Sequence, residues 1–117
     1  MSQEQPRYAA RSASSGTFQR SLNQVRNHHF VLDSPGVGEE VTTGESFMVG
    51  ISSCGVTLIE GAAKDEGIDL RHIEVEIGAY RSDDAPTPDL ERIDMSFVLY
   101  GVDGQQAAHL VDIWKER

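Results

Sequence analysis

Cys54 is the one thiol of this chain. A cysteine can serve as a nucleophile, a redox centre or a metal ligand, and in each role its environment decides whether it reacts. A lone cysteine on an apolar helix is most often a small buried hydrophobe. Cys54 lies far from the start of its segment, so a helix dipole gives it little help. A reactive thiol at that place needs a positive neighbour brought by the fold. Arg26 is the obvious donor, and Glu45 is a carboxylate that could orient it. Glu45 precedes Cys54 by nine positions, two and a half turns of an ideal helix, so the two face opposite sides unless Gly50 introduces a kink. Taken singly, Glu45 reads as a first-turn capping residue and Arg26 as a solvated strand arginine. Other chemistry has less to build on. His28 and His29 are neighbours on a strand and point to opposite faces, and His72 and His109 have no partner at ligand spacing, so no metal site is expected. Gly36-Val37-Gly38 does not continue into a phosphate loop, and there is no Ser-His-Asp pattern.

The segment that carries Cys54 and Glu45 organises the chain. Between Glu45 and Glu60 there is no charged residue. Phe47, Ile51, Cys54 and Leu58 recur at helical spacing, with Met48, Gly55 and Ile59 beside them and Val49 and Val56 further round. A helix apolar on nearly every side is a buried one, and this one is expected to be too short to span a membrane. Thr42 or Thr43 is placed to cap its start, Glu45 suits the first turn, and Gly67 ends the pattern as a C-cap glycine.

The remaining segments read as strands and one more helix. Residues 8–13 and 17–24 are weak strand candidates with a turn at 14–16, and 25–32 is a better one. In that strand Arg26, His28, Phe30 and Leu32 share one face. Residues 33–38 form a loop. Ile73, Val75, Ile77 and Ala79 alternate with polar residues, as do Ile93, Met95, Phe97 and Leu99, and the short two-proline loop at 82–88 predicts an antiparallel hairpin. Asp103 is a candidate N-cap for an amphipathic helix over 105–117, with Ala107, Ala108, Leu110, Val111 and Trp114 inward. The class is α+β in a single domain, 1–117, with residues 1–6 loose. The apolar helix exceeds what so small a chain covers by itself, which predicts a homodimer.

Composition narrows the function. Ten basic against nineteen acidic residues give a formal charge of −9, which repels nucleic acid. One cysteine permits no intrachain disulfide and suits a reducing compartment. The N-terminus has no apolar core of a secretory signal. A cytoplasmic protein without membrane contact is expected.

Three segments resemble the OsmC/Ohr family of hydroperoxide-reducing proteins. VRNHHFVLDSP, at 25–35, is similar to the family's Arg-x-His-x-φ-x-x-Asp strand and following loop. TGESFMVGISSC, at 43–54, is similar to its Pro-x-Glu-Leu-Leu-x-x-Ala-x-x-x-Cys helix, with glutamate and cysteine at the same separation. AAKDEGIDLRHIEVEI, at 62–77, is similar to its helix end, glycine and strand. The resemblance implies an OsmC-like fold: a curved antiparallel sheet wrapped on a central helix, in an intertwined homodimer with active sites at the subunit interface. It implies that Cys54 attacks the terminal oxygen of an organic hydroperoxide and becomes a sulfenic acid, with Arg26 and Glu45 activating it. It implies no cofactor, and a thiol or dithiol reductant such as a lipoyl group. The family's resolving cysteine follows its second helix with a last pair of strands, a segment these 117 residues do not include. Thr43 stands where the family has proline. Two functions follow: a thiol peroxidase for organic hydroperoxides, preferred over hydrogen peroxide because of the apolar residues around Cys54; and, without a resolving thiol, a non-catalytic dimeric binding or scaffold protein.

Overall fold

The structure is a computed structural model that describes residues 4–116 except 85, 87 and 88. Its contacts group into two compact units, the first ending at Phe47 and the second beginning at Met48.

In the first unit, β1 (Arg11–Ser14), β2 (Arg20–Val25) and β3 (His28–Asp33) form an antiparallel sheet in the order β1-β2-β3. Arg26 departs from the strand expected over 25–32. Val25 pairs with His28, so Arg26 and Asn27 make a two-residue hairpin turn, and Arg26 takes a positive φ of 53°. Tight hairpin turns require that region because it matches the twist of the strands they join. Arg26 is therefore exposed at the tip of the hairpin.

The first turn of α1 (Thr43–Asp65) is closed by a reciprocal cap. The Glu45 N–H donates to Thr42 Oγ1 at 3.2 Å, and the Thr42 N–H donates to Glu45 Oε1 at 2.9 Å. Thr42-x-x-Glu45 is thus a capping box, which settles the N-cap on Thr42. At the other end Gly67, at φ 67°, closes a Schellman motif. The Ile68 N–H donates to the Ala63 carbonyl at 2.8 Å and the Gly67 N–H to the Lys64 carbonyl at 3.2 Å. A Cβ at Gly67 would meet nothing within 4 Å, so the cost of Gly67→Ala lies in the backbone alone. We expect that substitution to lower unfolding stability by about 1–2 kcal/mol in urea melts.

The second unit adds β4 (His72–Tyr80), β5 (Arg92–Tyr100) and α2 (Gly104–Lys115) to the bulk of α1. β4 and β5 form the expected antiparallel hairpin as a sheet of their own, so the sheet structure is divided in two. The two-proline loop between them contains residues 85, 87 and 88, which lie outside the described ones. So do the first three residues of the expected loose segment 1–6, and residue 117 of the expected second helix. Asp103 caps α2, and its carboxylate accepts from the Gln106 N–H at 2.8 Å. The core joins Ile59, Ala62 and Ala63 of α1 to Ile73 of β4 and Leu110 of α2. Gly55 faces the Phe97 and Trp114 rings, whose centroids lie 5.4 Å apart; a Cβ there would make ordinary van der Waals contact, 3.5 Å from Phe97 and 3.6 Å from Trp114. On α2, Ala108 is exposed and Ile113 packs against the core instead.

Burial of α1 within one chain is partial, and the expectation that it is too short to span a membrane is corrected. Only Gly55, Ile59, Ala62 and Ala63 are buried, a single stripe, while Phe47 and Val49 are each 60% exposed. One chain supplies partners for one side of the helix only. At 23 residues the helix is also long and apolar enough, by length and composition, to cross a membrane. Its packed stripe against β4 and α2 marks it as a core helix.

Candidate functional site

Cys54 is a free, exposed thiol on α1 within the second unit. Its position follows from the stripe beside it: Gly55 turns inward under Phe97 and Trp114, which leaves the preceding residue toward solvent. Ile51 and Leu58, three before and four after, share its face and are half-buried. The Thr57 hydroxyl donates to the Ser53 carbonyl at 3.2 Å and to the Cys54 carbonyl at 3.5 Å, a local bond that leaves the thiol uninvolved.

Glu45 and Arg26 lie in the first unit. The Glu45 carboxylate is held by Thr42, whose N–H, and next its hydroxyl, keep it below the usual carboxylate range. Arg26 sits at the hairpin tip, where its carbonyl accepts from Gln24 Nε2 at 3.1 Å. Within this unit the structure therefore brings Glu45 to Thr42 and leaves Arg26 at the turn.

The arginine–carboxylate pair that does form is one that sequence reasoning missed. Arg20 Nε donates to Asp33 Oδ1 at 2.6 Å and Arg20 Nη2 to Asp33 Oδ2 at 2.9 Å, a two-pronged bond. Nη2 also reaches Glu39 Oε1 at 3.1 Å. Asp33 is 1% exposed, and its Oδ2 accepts from the Glu39 N–H at 3.0 Å and the Glu40 N–H at 2.8 Å. Arg20 first, then those backbone groups, hold the carboxyl well below its ordinary range against the opposing effect of burial. The signal was present in the hairpin. A two-residue turn at Arg26 and Asn27 places residues equidistant from it opposite each other, and Arg20 pairs with Asp33. An open cleft of about 550 Å³ adjoins the pair, lined also by Phe18, Leu32 and Thr43.

Two of the histidines contact carboxylates. His109 Nε2 lies 2.8 Å from Glu66 Oε1, and His72 lies 3.2 Å from Glu74 and against the Tyr100 ring. Among the described residues no group of three or more His, Cys, Asp or Glu side chains could hold a metal ion.

No family model and no curated protein matches the sequence. Solved structures do match the fold. An OsmC-like protein from Mycoplasma pneumoniae superposes with a TM-score of 0.84 at 11% identity, over 97% of this chain and 84% of that one. An organic hydroperoxide resistance protein from Elizabethkingia anophelis, with thiocyanate bound, matches at 0.68 and 15% identity, over 98% and 85%. The organic hydroperoxide resistance protein OhrB of Bacillus subtilis matches at 0.62 and 18% identity, over 93% and 84%. This chain has the α+β fold of the OsmC-like and organic hydroperoxide resistance proteins.

Proposed function

We propose that this protein is a thiol peroxidase that reduces organic hydroperoxides through Cys54 and serves in defence against oxidative stress. The observation that carries this reading is the exposure of the single thiol on an apolar helix, in a fold shared with organic hydroperoxide resistance proteins. The Cys54 thiolate attacks the terminal peroxide oxygen. A sulfur–oxygen bond forms as the oxygen–oxygen bond breaks, sulfur is oxidised by two electrons, and an alcohol leaves after taking up a proton. Ile51 and Leu58 offer apolar surface to the alkyl group, which favours organic hydroperoxides over hydrogen peroxide. The sulfenic acid is resolved by an external thiol or dithiol, of lipoyl type. The external thiol condenses with it, releasing water and leaving a mixed disulfide that a second thiol reduces. Glu45 and Arg26 are the residues assigned to activate the thiolate.

The partner is a second copy of the chain, which would cover the apolar side of α1 that carries Phe47 and Val49. Such an assembly in a reducing compartment, the cytoplasm, needs neither membrane nor nucleic acid. Sedimentation at micromolar concentration is expected to give a dimer; a well-folded monomer there contradicts the assembly.

The hold of Thr42 on the Glu45 carboxylate, in the helix cap, favours a second reading, a dimeric binding or scaffold protein without turnover. Mass spectrometry after cumene hydroperoxide treatment with dimedone decides between them. A peroxidase gains one dimedone adduct at Cys54 and loses hydroperoxide consumption entirely in Cys54→Ser. An unmodified Cys54 and unchanged consumption leave the scaffold reading standing.

A further inference from the structure

The Arg20–Asp33 pair and the Glu45 cap are joined by hydrogen bonds to Asp33 and by the 41–42 peptide. Asp33 grips the loop 34–42 that leads into α1 at several points. Its Oδ2 accepts from the Glu39 and Glu40 N–H groups, its own N–H donates to the Val41 carbonyl at 2.9 Å, and it bridges to Thr42 as a parallel pair. The next link is Thr42, whose N–H fixes the Glu45 carboxylate. At the near end the Ser34 N–H donates to the Gln19 carbonyl at 3.0 Å, which ties the loop to the residue before Arg20. The loop itself has little to hold it, since it contains Pro35, Gly36 and Gly38 and is exposed over most of its length. Among its anchors is the buried carboxylate, which takes four hydrogen bonds, two from Arg20 and two from the loop backbone.

We propose that Arg20 and Asp33 are positioning residues for Glu45, acting through loop 34–42 and the Thr42 cap. The inference rests on the reading above in one respect, that Glu45 assists the reaction of Cys54. Without the guanidinium fork, the Asp33 carboxylate loses the two bonds that orient it, and the grip on Glu39 and Glu40 loosens. Thr42 then no longer presents its N–H at a fixed place, and Glu45 samples other rotamers. The fork is specific to arginine, because a lysine ammonium offers a point charge with no two-pronged geometry.

The test uses the full chain as wild type, Arg20→Lys, Arg20→Met, Glu45→Gln and the Arg20→Lys/Glu45→Gln double variant. Amide hydrogen exchange reads the cap directly at Thr42, Glu45 and Ser46. In Arg20→Lys those amides are expected to exchange about tenfold faster while those of β4 and β5 keep their protection, since the opening is local. Arg20→Met should exceed Arg20→Lys, and Arg20→Lys alone decides if Arg20→Met does not fold. The second readout is the rate at which reduced Cys54 consumes cumene hydroperoxide. A positioning role makes Arg20→Lys slow without slowing Glu45→Gln any further in the double variant, because both act through one carboxylate. Unchanged cap exchange in Arg20→Lys, or an additive loss in the double variant, overturns the proposal. Faster cap exchange with a wild-type rate in Glu45→Gln supports the positioning of Glu45 and rejects instead its part in the peroxidase reaction.

Discussion

Ile59→Ala is expected to lower the unfolding free energy by about 2–5 kcal/mol, the range for deleting a large aliphatic side chain from a packed core. Ile59 is 0% exposed and sits where α1, β4 and α2 meet, against Ala62, Ala63, Ile73 and Leu110. Two of those neighbours are alanines, with no side-chain freedom to fill the space. The cavity therefore stays open, which puts the cost toward the upper part of the range. A small domain has roughly 5–15 kcal/mol in total, so the variant should melt early in urea with an unchanged slope. Val49→Ala is the contrast on the same helix. Val49 is 60% exposed, and in an isolated chain its truncation changes stability by about 0.5 kcal/mol or less. In a dimer that covers this side, the Val49 cost rises and depends on protein concentration, whereas a cost arising inside the chain does not. A midpoint shift for Ile59→Ala no larger than that for Val49→Ala would show that the core is not centred on Ile59.

What could be read from the sequence was local, and what could not depended on register or on a partner. Thr42-x-x-Glu45 and Gly67 bracket α1 through bonds spanning three to five residues, so residue types placed the C-terminal end at Gly67 and the N-cap to within one residue, Thr42 or Thr43. The alternation at 73–79 and 93–99 gave the β4–β5 hairpin for the same reason: each strand carries its own period. Arg26 went astray because a run of β-branched and aromatic residues without a breaker conceals a hairpin turn made by Arg and Asn. That misplacement also hid the most buried charge pair of the first unit, since Arg20 and Asp33 meet only when the register is known. The apolar period of α1 told that the helix is hydrophobic on several sides. It told also that one chain would not cover the whole helix, but not that the covered stripe is Gly55, Ile59, Ala62 and Ala63. Of the candidate site, the spacing of Glu45 and Cys54 was legible and the exposure of Cys54 was not. Exposure depends on which side of the helix Phe97 and Trp114 occupy.

Asp33→Asn is expected to remove a pH dependence as well as stability. In the native protein the Asp33 carboxyl is held far below its ordinary value of 3.8, chiefly by Arg20 and then by the N–H groups of Glu40 and Glu39, against burial. A carboxyl whose folded value is depressed binds fewer protons folded than unfolded, so stability rises with pH through that window. The contribution is complete above about pH 4, where the unfolded chain is also ionised, and declines as pH falls toward the folded value. The Glu45 carboxyl, also depressed by its Thr42 bonds, adds to the same slope with the same sign. Asparagine keeps the shape and one acceptor oxygen but has no charge for the Arg20 guanidinium, which stays ionised at every pH in question. At neutral pH Asp33→Asn should therefore unfold well before the wild type. As pH is lowered from 5 toward 2, the wild type should lose stability faster, and the gap between the two should close. Urea melts at several pH values across that interval measure the gap directly. A constant difference between the two proteins would mean that the Asp33 charge contributes nothing to the folded state and that its hydrogen bonds alone hold the loop.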